Sequence, residues 1–354
     1  MDLVRFGIIG TGGIATHFHL PAVAKCPGAK LVAVADVLEN RARLAADKFG
    51  AQTAYTDYHD LLERSDLDAV IVATRHPLHS PIGIEVLESG KHLLIQKPMA
   101  TKQEDADRLV DTLRATGKTA MALPYSQTAI YRKALELVNA GAIGRVVMAR
   151  ARVAHAGPGP ITSSRFGEAP SKLWFYDKAQ ADGGALFDMG VYAISALAGL
   201  VGPISRVSAR ITTIMRDVDV DENALLAVDF RNGAIGSIET SWCQQAGDES
   251  ISLYGSEGTI YIRPQLPAPP ESGQKLMLFS KKASGPAETN GWVTVNVPVG
   301  EPSIAEAHAH FVQCLLDGTK PIATVEQGRH VVEVMLGAYR SSETGQLVEV
   351  KSEF

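Results

Sequence analysis

The 354 residues are more than one ordinary hydrophobic core organises, and they suit two domains of the usual size. A net charge of -5, with Lys, Arg, Asp and Glu interspersed, leaves no basic stripe to neutralise a phosphate backbone, which argues against nucleic acid as a partner. Met1 to Gly10 run straight into an apolar strand pattern with no cationic leader or long apolar segment, so the reading is a cytoplasmic protein with no membrane partner.

Arg5 to Ile9, Leu31 to Ala35, Thr53 to Tyr55, Ala69 to Ala73 and His92 to Ile95 are short apolar runs of strand character. Gly13 to Cys26, Glu39 to Phe49, Pro81 to Ser89 and Lys102 to Ala115 carry apolar residues at helical spacing and end near Gly or Pro. This alternation predicts a parallel sheet with crossover helices. A sixth apolar run, Thr119 to Leu123, stops at Pro124, which sets the boundary between a first domain, 1–124, and a second, 125–354.

A helix pattern at Thr128 to Asn139 and a turn at Gly141 to Gly144 open the second domain. Val146 to Val153, Val207 to Ile214, Ala224 to Phe230, Ala234 to Thr240, Ser252 to Tyr254 and Thr259 to Ile262 alternate or are β-branched, which predicts a mostly antiparallel sheet. Helices are expected at Gly184 to Leu197, Ile304 to Leu316 and Val325 to Tyr339, the C-terminal one able to pack back on the first domain. The Pro-, Gly-, Ser- and Lys-rich stretch Pro264 to Gly285 reads as a loop or hairpin excursion. Cys26, Cys243 and Cys314 are odd in number and far apart, so they suit packing rather than disulfides or zinc.

Gly10-Thr11-Gly12-Gly13-Ile14-Ala15 has the G-x-G-x-x-A form at a strand-to-helix handover. Gly10 permits the tight turn, Gly12 lets a pyrophosphate approach, Ala15 allows close packing, and the amides around Gly13 and Ile14 face the phosphates. Asp36 ends the second strand, where a carboxylate accepts from the adenosine ribose and repels a 2′-phosphate. Val37 follows it rather than Arg or Ser, so NAD is favoured over NADP, with Arg41 and Arg43 as the cations able to argue otherwise. The first domain is thus expected to be a Rossmann domain.

Further landmarks are Ala73-Thr74-Arg75-His76-Pro77-Leu78-His79, Gly90-Lys91-His92 before Gln96-Lys97-Pro98, the run Gly183 to Tyr192, and Tyr339 to Gly345. With the Gly10 turn, they resemble the Gfo/Idh/MocA family of oxidoreductases along nearly the whole chain. The resemblance implies a Rossmann domain joined to an α+β domain with an open-faced sheet, a sugar-like substrate held in the cleft between them, and homodimers or homotetramers paired through that sheet. Three segments depart from the family: Gln96 stands where Glu is usual, Thr74-Arg75-His76 replaces Thr-Pro-Asn, and Asp188-Met189-Gly190-Val191-Tyr192 ends in tyrosine rather than histidine. The tyrosine resembles the glucose-fructose oxidoreductase branch and weakens an inositol reading.

Oxidising an alcohol with NAD requires a group that takes the hydroxyl proton. Lys97, after the fifth strand, is the first candidate, with a pKa expected to be lowered in a dry cleft and less supported by Gln96 than by glutamate. Asp188 and Tyr192 are four residues apart and share a helix face; Tyr192 needs a lowered pKa to act, and Asp188 would orient the sugar hydroxyl or steady Lys97. Thr74, His76 and His79 are expected at the nicotinamide ribose, with Gln96 and Lys97 beside the cofactor. His155, Trp174 and Tyr176 suit the substrate, since aromatic faces match the apolar sides of pyranose rings. His308 and His310, at i,i+2 spacing, point to different sides of a helix, and no metal is expected.

The favoured activity is hydride transfer between NAD and a hydroxyl-bearing carbon of a sugar, glycoside or sugar derivative. A redox-neutral enzyme that retains NAD through oxidation and elimination is the alternative, as is a catalytically silent NAD-binding sensor.

Overall fold

β1 (Val4–Ile9), β2 (Ala29–Ala35), β3 (Thr53–Tyr55), β4 (Ala69–Val72), β5 (His92–Ile95) and β6 (Ala120–Ala122) form a parallel sheet in the order β3-β2-β1-β4-β5-β6. In this computed structural model the described residues are 3–123, 128–159, 173–264, 274–281, 291–297 and 303–354. The boundary residue Pro124 and much of the Pro264 to Gly285 excursion lie outside them. The strand order reverses between β1 and β4, which opens a crevice at the carboxyl ends of those strands. β4 is buried along its whole length because helices cover both faces of the sheet.

A π-helical turn, Ala15–His19, runs into α1 (Leu20–Lys25), followed by α2 (Glu39–Phe49), α3 (Tyr58–Leu62), α4 (His79–Glu88) and α5 (Gln103–Thr116). The sequence did not announce α3. Five residues are too few for a helical period to register, and its start is fixed by Asp57, which accepts from the His59 amide at 2.9 Å.

The second sheet has nine strands in the order β14-β13-β12-β11-β7-β10-β9-β8-β15. They are β7 (Val146–Ala154), β8 (Ile204–Thr212), β9 (Asn223–Phe230), β10 (Ile235–Ser241), β11 (Asp248–Gly255), β12 (Gly258–Pro264), β13 (Gln274–Ser280), β14 (Trp292–Val295) and β15 (Val348–Glu349). All neighbours are antiparallel except β7 with β10. β13 falls inside the stretch read as an excursion, where its buried Leu276 and Leu278 were obscured by Pro, Gly and Ser on either side. β11 is longer than Ser252 to Tyr254, since the polar Asp248 and Glu249 also join its ladder with β7.

α6 (Ala129–Asn139) and α7 (Val191–Val201) pack against this sheet. The stretch Lys178–Val201 is long and apolar enough to cross a membrane by composition, but most of its apolar window is buried within the protein. The opposite sheet face leaves Met148, Leu225 and Ile235 exposed beside the ion pairs Arg150–Glu239 at 3.4 Å and Arg206–Asp229 at 2.7 Å. The chain then returns to the first sheet. α8 (Ser303–Asp317) sets Phe311 against Phe6, ring centroids 6.4 Å apart, and Ala307 and Val312 join the same core. α9 (Val325–Thr344), started by a Thr324–Gln327 capping box, packs on both α5 and β8 and so bridges the two sheets.

Candidate active site

Gly10 ends β1 at φ +88, and a β-carbon there would lie 2.5 Å from the Ala73 carbonyl oxygen. Only glycine fits both demands. Outside Gly12 the position of a β-carbon is open, and no side chain caps the helix that follows, so Gly12, Gly13 and Ile14 present free space and main-chain donors suited to a pyrophosphate. Asp36 Oδ2 accepts from the Thr11 amide at 2.8 Å and its hydroxyl at 3.1 Å, and Oδ1 accepts from the Leu38 amide at 2.9 Å. A carboxylate has about four acceptor positions, so these three bonds fix Asp36 and leave one for a ribose hydroxyl. Val37 is 85% exposed at the same edge, and Arg43 is paired with Glu39 at 2.5 Å. The groups present therefore fit an adenine dinucleotide.

At the carboxyl end of β5, Lys97 Nζ donates to Asp188 Oδ1 at 2.5 Å and to the Asp188 carbonyl at 2.7 Å. The ammonium also lies 5.1 Å from the centroid of the Tyr192 ring. Asp188 Oδ2 accepts from Trp242 Nε1 at 3.0 Å, and His155 Nε2 stands 3.9 Å away. Asp188 thus meets Lys97 through both its carboxylate and its main-chain carbonyl.

Leu186–Gly190 is a π-helical turn, not the α-helix that the i,i+4 spacing of Asp188 and Tyr192 predicts. The two side chains still meet at Lys97, which bonds Asp188 Oδ1 and lies over the Tyr192 ring. The lowering expected of Lys97 and Tyr192 does not occur. Burial pushes Lys97 down, but the Asp188 charge, Tyr192 and their hydrogen bonds outweigh it, and Lys97 is raised above its ordinary value. Burial raises Tyr192, and Lys97 offsets only part of that rise. Burial also penalises the Asp188 carboxylate, yet Lys97 outweighs burial and Asp188 is lowered. The negative charge denied by Gln96 is thus supplied by Asp188.

The histidines divide into different roles. His79 points both ring nitrogens at main-chain carbonyls, Pro98 O at 2.7 Å and Thr74 O at 3.1 Å, and burial lowers it to about 4. It pins the two loops around Lys97 rather than facing a ribose. Thr74 is half-buried there, its hydroxyl 3.5 Å from the Arg75 carbonyl. His76 is buried, held neutral by burial and by Lys97, and its Nδ1 has no partner. An unpartnered acceptor beside Lys97 suits a ligand hydroxyl. Gln96 is turned inward, away from the role expected of it, and bonds the Lys97 amide and His19.

Trp174 stacks on Phe175 with centroids 4.0 Å apart and meets His76 edge-on at 4.8 Å, which makes an aromatic wall next to the lysine. His155 Nδ1 accepts from the Gly157 amide at 2.8 Å, which puts the ring proton on Nε2, 3.0 Å from Met189 Sδ. Tyr176 is half-buried and anchored on several sides. Its hydroxyl accepts from the Gly159 amide at 3.2 Å, and its ring lies edge-on to Trp242 and under Arg216. His308 meets His19 at 3.2 Å, and His310 accepts from the Ile322 amide at 3.0 Å.

Two supporting residues escaped the sequence reading. Trp242 is fully buried after β10, and its indole orients Asp188. Asp221 accepts from the amides of Gly184 at 2.7 Å and Leu186 at 2.8 Å, and from the Tyr339 hydroxyl at 2.5 Å, so it caps the segment that carries Asp188. This explains Gly183-Gly184: a β-carbon on Gly184 would collide with the Asp221 carbonyl, and one on Gly183 would meet the Tyr339 hydroxyl and Phe187.

Residues 4–123 match the oxidoreductase family with an NAD-binding Rossmann fold, and residues 131–261 match the GFO/IDH/MocA C-terminal domain. A Streptomyces violaceoruber relative, dTDP-3,4-didehydro-2,6-dideoxy-alpha-D-glucose 3-reductase, is 32% identical over 80% of this chain and 79% of its own. The chain belongs to the Gfo/Idh/MocA family. As a Gfo/Idh/MocA protein it is an NAD(P)-dependent oxidoreductase. Among other members, the levoglucosan dehydrogenase of Pseudarthrobacter phenanthrenivorans is 28% identical over 88% of this chain and 89% of its own. A solved levoglucosan dehydrogenase, in complex with NADH and L-sorbose, shares the Gfo/Idh/MocA fold at a TM-score of 0.87, with 23% identity and 99% and 100% of the two chains covered.

Proposed function

We propose that this chain moves a hydride between NAD and a hydroxyl-bearing carbon of a sugar, glycoside or sugar derivative, with Lys97 handling the hydroxyl proton. The observation that carries the reading is the buried ion pair of Lys97 and Asp188, braced by Tyr192 and Trp242 at the ligand edge of the first sheet. NAD bound on Gly10, Gly12, Gly13, Ile14 and Asp36 supplies the hydride acceptor. Residues 1–124 hold the cofactor in this reading, and 125–354 present the substrate.

Because Asp188 keeps Lys97 protonated, the ammonium is set to donate to a carbonyl oxygen during reduction. Oxidation needs Lys97 to lose that proton first, after which the neutral amine accepts the hydroxyl proton. Tyr192, whose ring lies beside the ammonium, holds the reacting oxygen. His76, through its open Nδ1, accepts from a second hydroxyl, and Trp174 covers an apolar sugar face. NAD is preferred over NADP because Asp36 is locked in place by Thr11 and Leu38, where it repels a 2′-phosphate. The exposed Met148, Leu225 and Ile235 suit pairing with a second copy through the open sheet face, as the family resemblance implies.

The test follows absorbance at the reduced-nicotinamide band with purified protein, NAD or NADP, and a panel of aldoses, glycosides, cyclitols and sugar acids. Turnover of one class, lost in Lys97→Ala while NADH still binds, supports the reading. Silence across the panel with NADH bound moves it toward a retained-cofactor enzyme or a sensor.

A further inference from the structure

Three buried polar side chains that the proposed reaction leaves unused meet beside the turn after β5. Gln96 Oε1 accepts from the Lys97 amide at 2.6 Å, so the other end of that amide is the NH2 group, 3.1 Å from His19 Nε2. His19 Nε2 must then accept, which puts the ring proton on Nδ1, 3.2 Å from His308 Nε2. His308 accepts in turn and donates through Nδ1 to the Ile304 carbonyl at 2.6 Å. Every atom in the series has one assignable role, fixed by the network itself.

We propose that Gln96, His19 and His308 form a one-way chain of hydrogen bonds that positions Lys97 and ties α8 to the cofactor domain, with glutamine at 96 keeping both histidines neutral. The positioning part rests on the role given to Lys97 above. His19 sits in the π-helical turn after the cofactor loop, His308 on α8 and Gln96 at the end of β5, so the chain joins three segments that sequence distance separates. All three side chains are buried, and a polar chain left half-satisfied there is costly. A charged His19 would turn two donors on each other at Gln96. The ionisable groups that act on His19 are His308 from α8 and His79 from α4, both bases, and His308 faces the Ile304 carbonyl. Glutamate at 96 would instead demand an N–H from His19 Nε2 and would draw a proton onto the ring.

Nitrogen NMR of the full chain with isotope-labelled histidine tests the polarity. The expected result is two rings protonated on Nδ1 that do not titrate between about pH 5 and 8, assigned by their loss in H19N and H308Q. A proton on Nε2 of either ring, or titration near the ordinary histidine value, overturns the chain. In Q96E, His19 is expected to hold its charge across that range, and an unchanged His19 spectrum counts equally against it.

Positioning is read by comparing His308→Leu, which cannot accept from His19, with His308→Gln, which can. For the leucine variant, kcat on the sugar that gives turnover and affinity for NADH, followed by cofactor fluorescence, fall about tenfold or more at near-constant KM for the sugar. Glutamine restores both to within about threefold. Equal losses in the two variants, or none in either, reject the positioning role. If no sugar is turned over by the native chain, the proposed activity fails, while the NMR and NADH arms still decide the chain.

Discussion

Asp188→Asn keeps the shape of the side chain and removes its charge. In the native chain burial pushes Lys97 down, but the Asp188 carboxylate at 2.5 Å and Tyr192 outweigh it and raise the ammonium above its ordinary value. The two side chains are only 12% and 10% exposed, so water screens the pair poorly. Removing one partner of such a pair costs about 3–5 kcal/mol. Lys97 in Asp188→Asn is therefore expected to ionise below its ordinary value, because burial then acts on it without the opposing carboxylate. The sign is specific. Oxidation needs neutral Lys97, so the alkaline rise in kcat/KM for oxidation moves to lower pH in the variant, and the loss of reductive activity moves with it. Stability changes sense too. The native Lys97, raised in the fold, contributes fully below its unfolded value and loses that contribution as pH climbs through its folded value. In the variant its folded value lies below the unfolded one, so thermal stability falls as pH drops. Rate profiles and melting curves across pH read both effects, and an ionisation that stays at its native position would refute the electrostatic account.

Trp242→Phe removes the donor to Asp188 and is expected to lower kcat about 10- to 100-fold, with affinity for NADH unchanged by fluorescence titration. Gly184→Ala pushes a methyl group against the Asp221 carbonyl; about 1–3 kcal/mol of overpacking should lower Tm by about 2–10 °C in calorimetry. Asp36→Ser removes the fixed charge, and the ratio of NADP to NAD efficiency should rise about tenfold or more in paired steady-state assays. Ile235→Lys on the open sheet face is expected to shift sedimentation toward the single chain, and an unchanged assembly would exclude that face.

The parallel sheet was legible because each of its strands is a short apolar run closed by a turn or helix signal, as in Ala69 to Ala73 beside the observed Ala69–Val72. The cofactor edge was legible for a similar reason: Gly10 and Asp36 act through local geometry at fixed positions in one βαβ unit. What escaped was set by distance along the chain. Trp242 reaches Asp188 across 54 residues and Asp221 reaches Gly184 across 37, and neither has a local pattern that marks it. Only the pair Gly183-Gly184 hinted that another part of the backbone comes close there.

Gln96 illustrates how a departure from a family pattern misleads when its charge is read in isolation. Losing a carboxylate beside Lys97 suggested a weaker hold on the lysine proton. In the fold, Gln96 spends its carbonyl on the Lys97 amide and its NH2 group on His19, and neither end reaches the ammonium. The ammonium takes its counter-charge from Asp188, on the other domain. A carboxylate at 96 would lie against a buried imidazole and would make that ring a cation next to a second histidine. The amide is therefore the side chain that leaves both networks satisfied, one charged around Lys97 and one neutral through His19, and the departure speaks to how the lysine is held rather than to whether it acts.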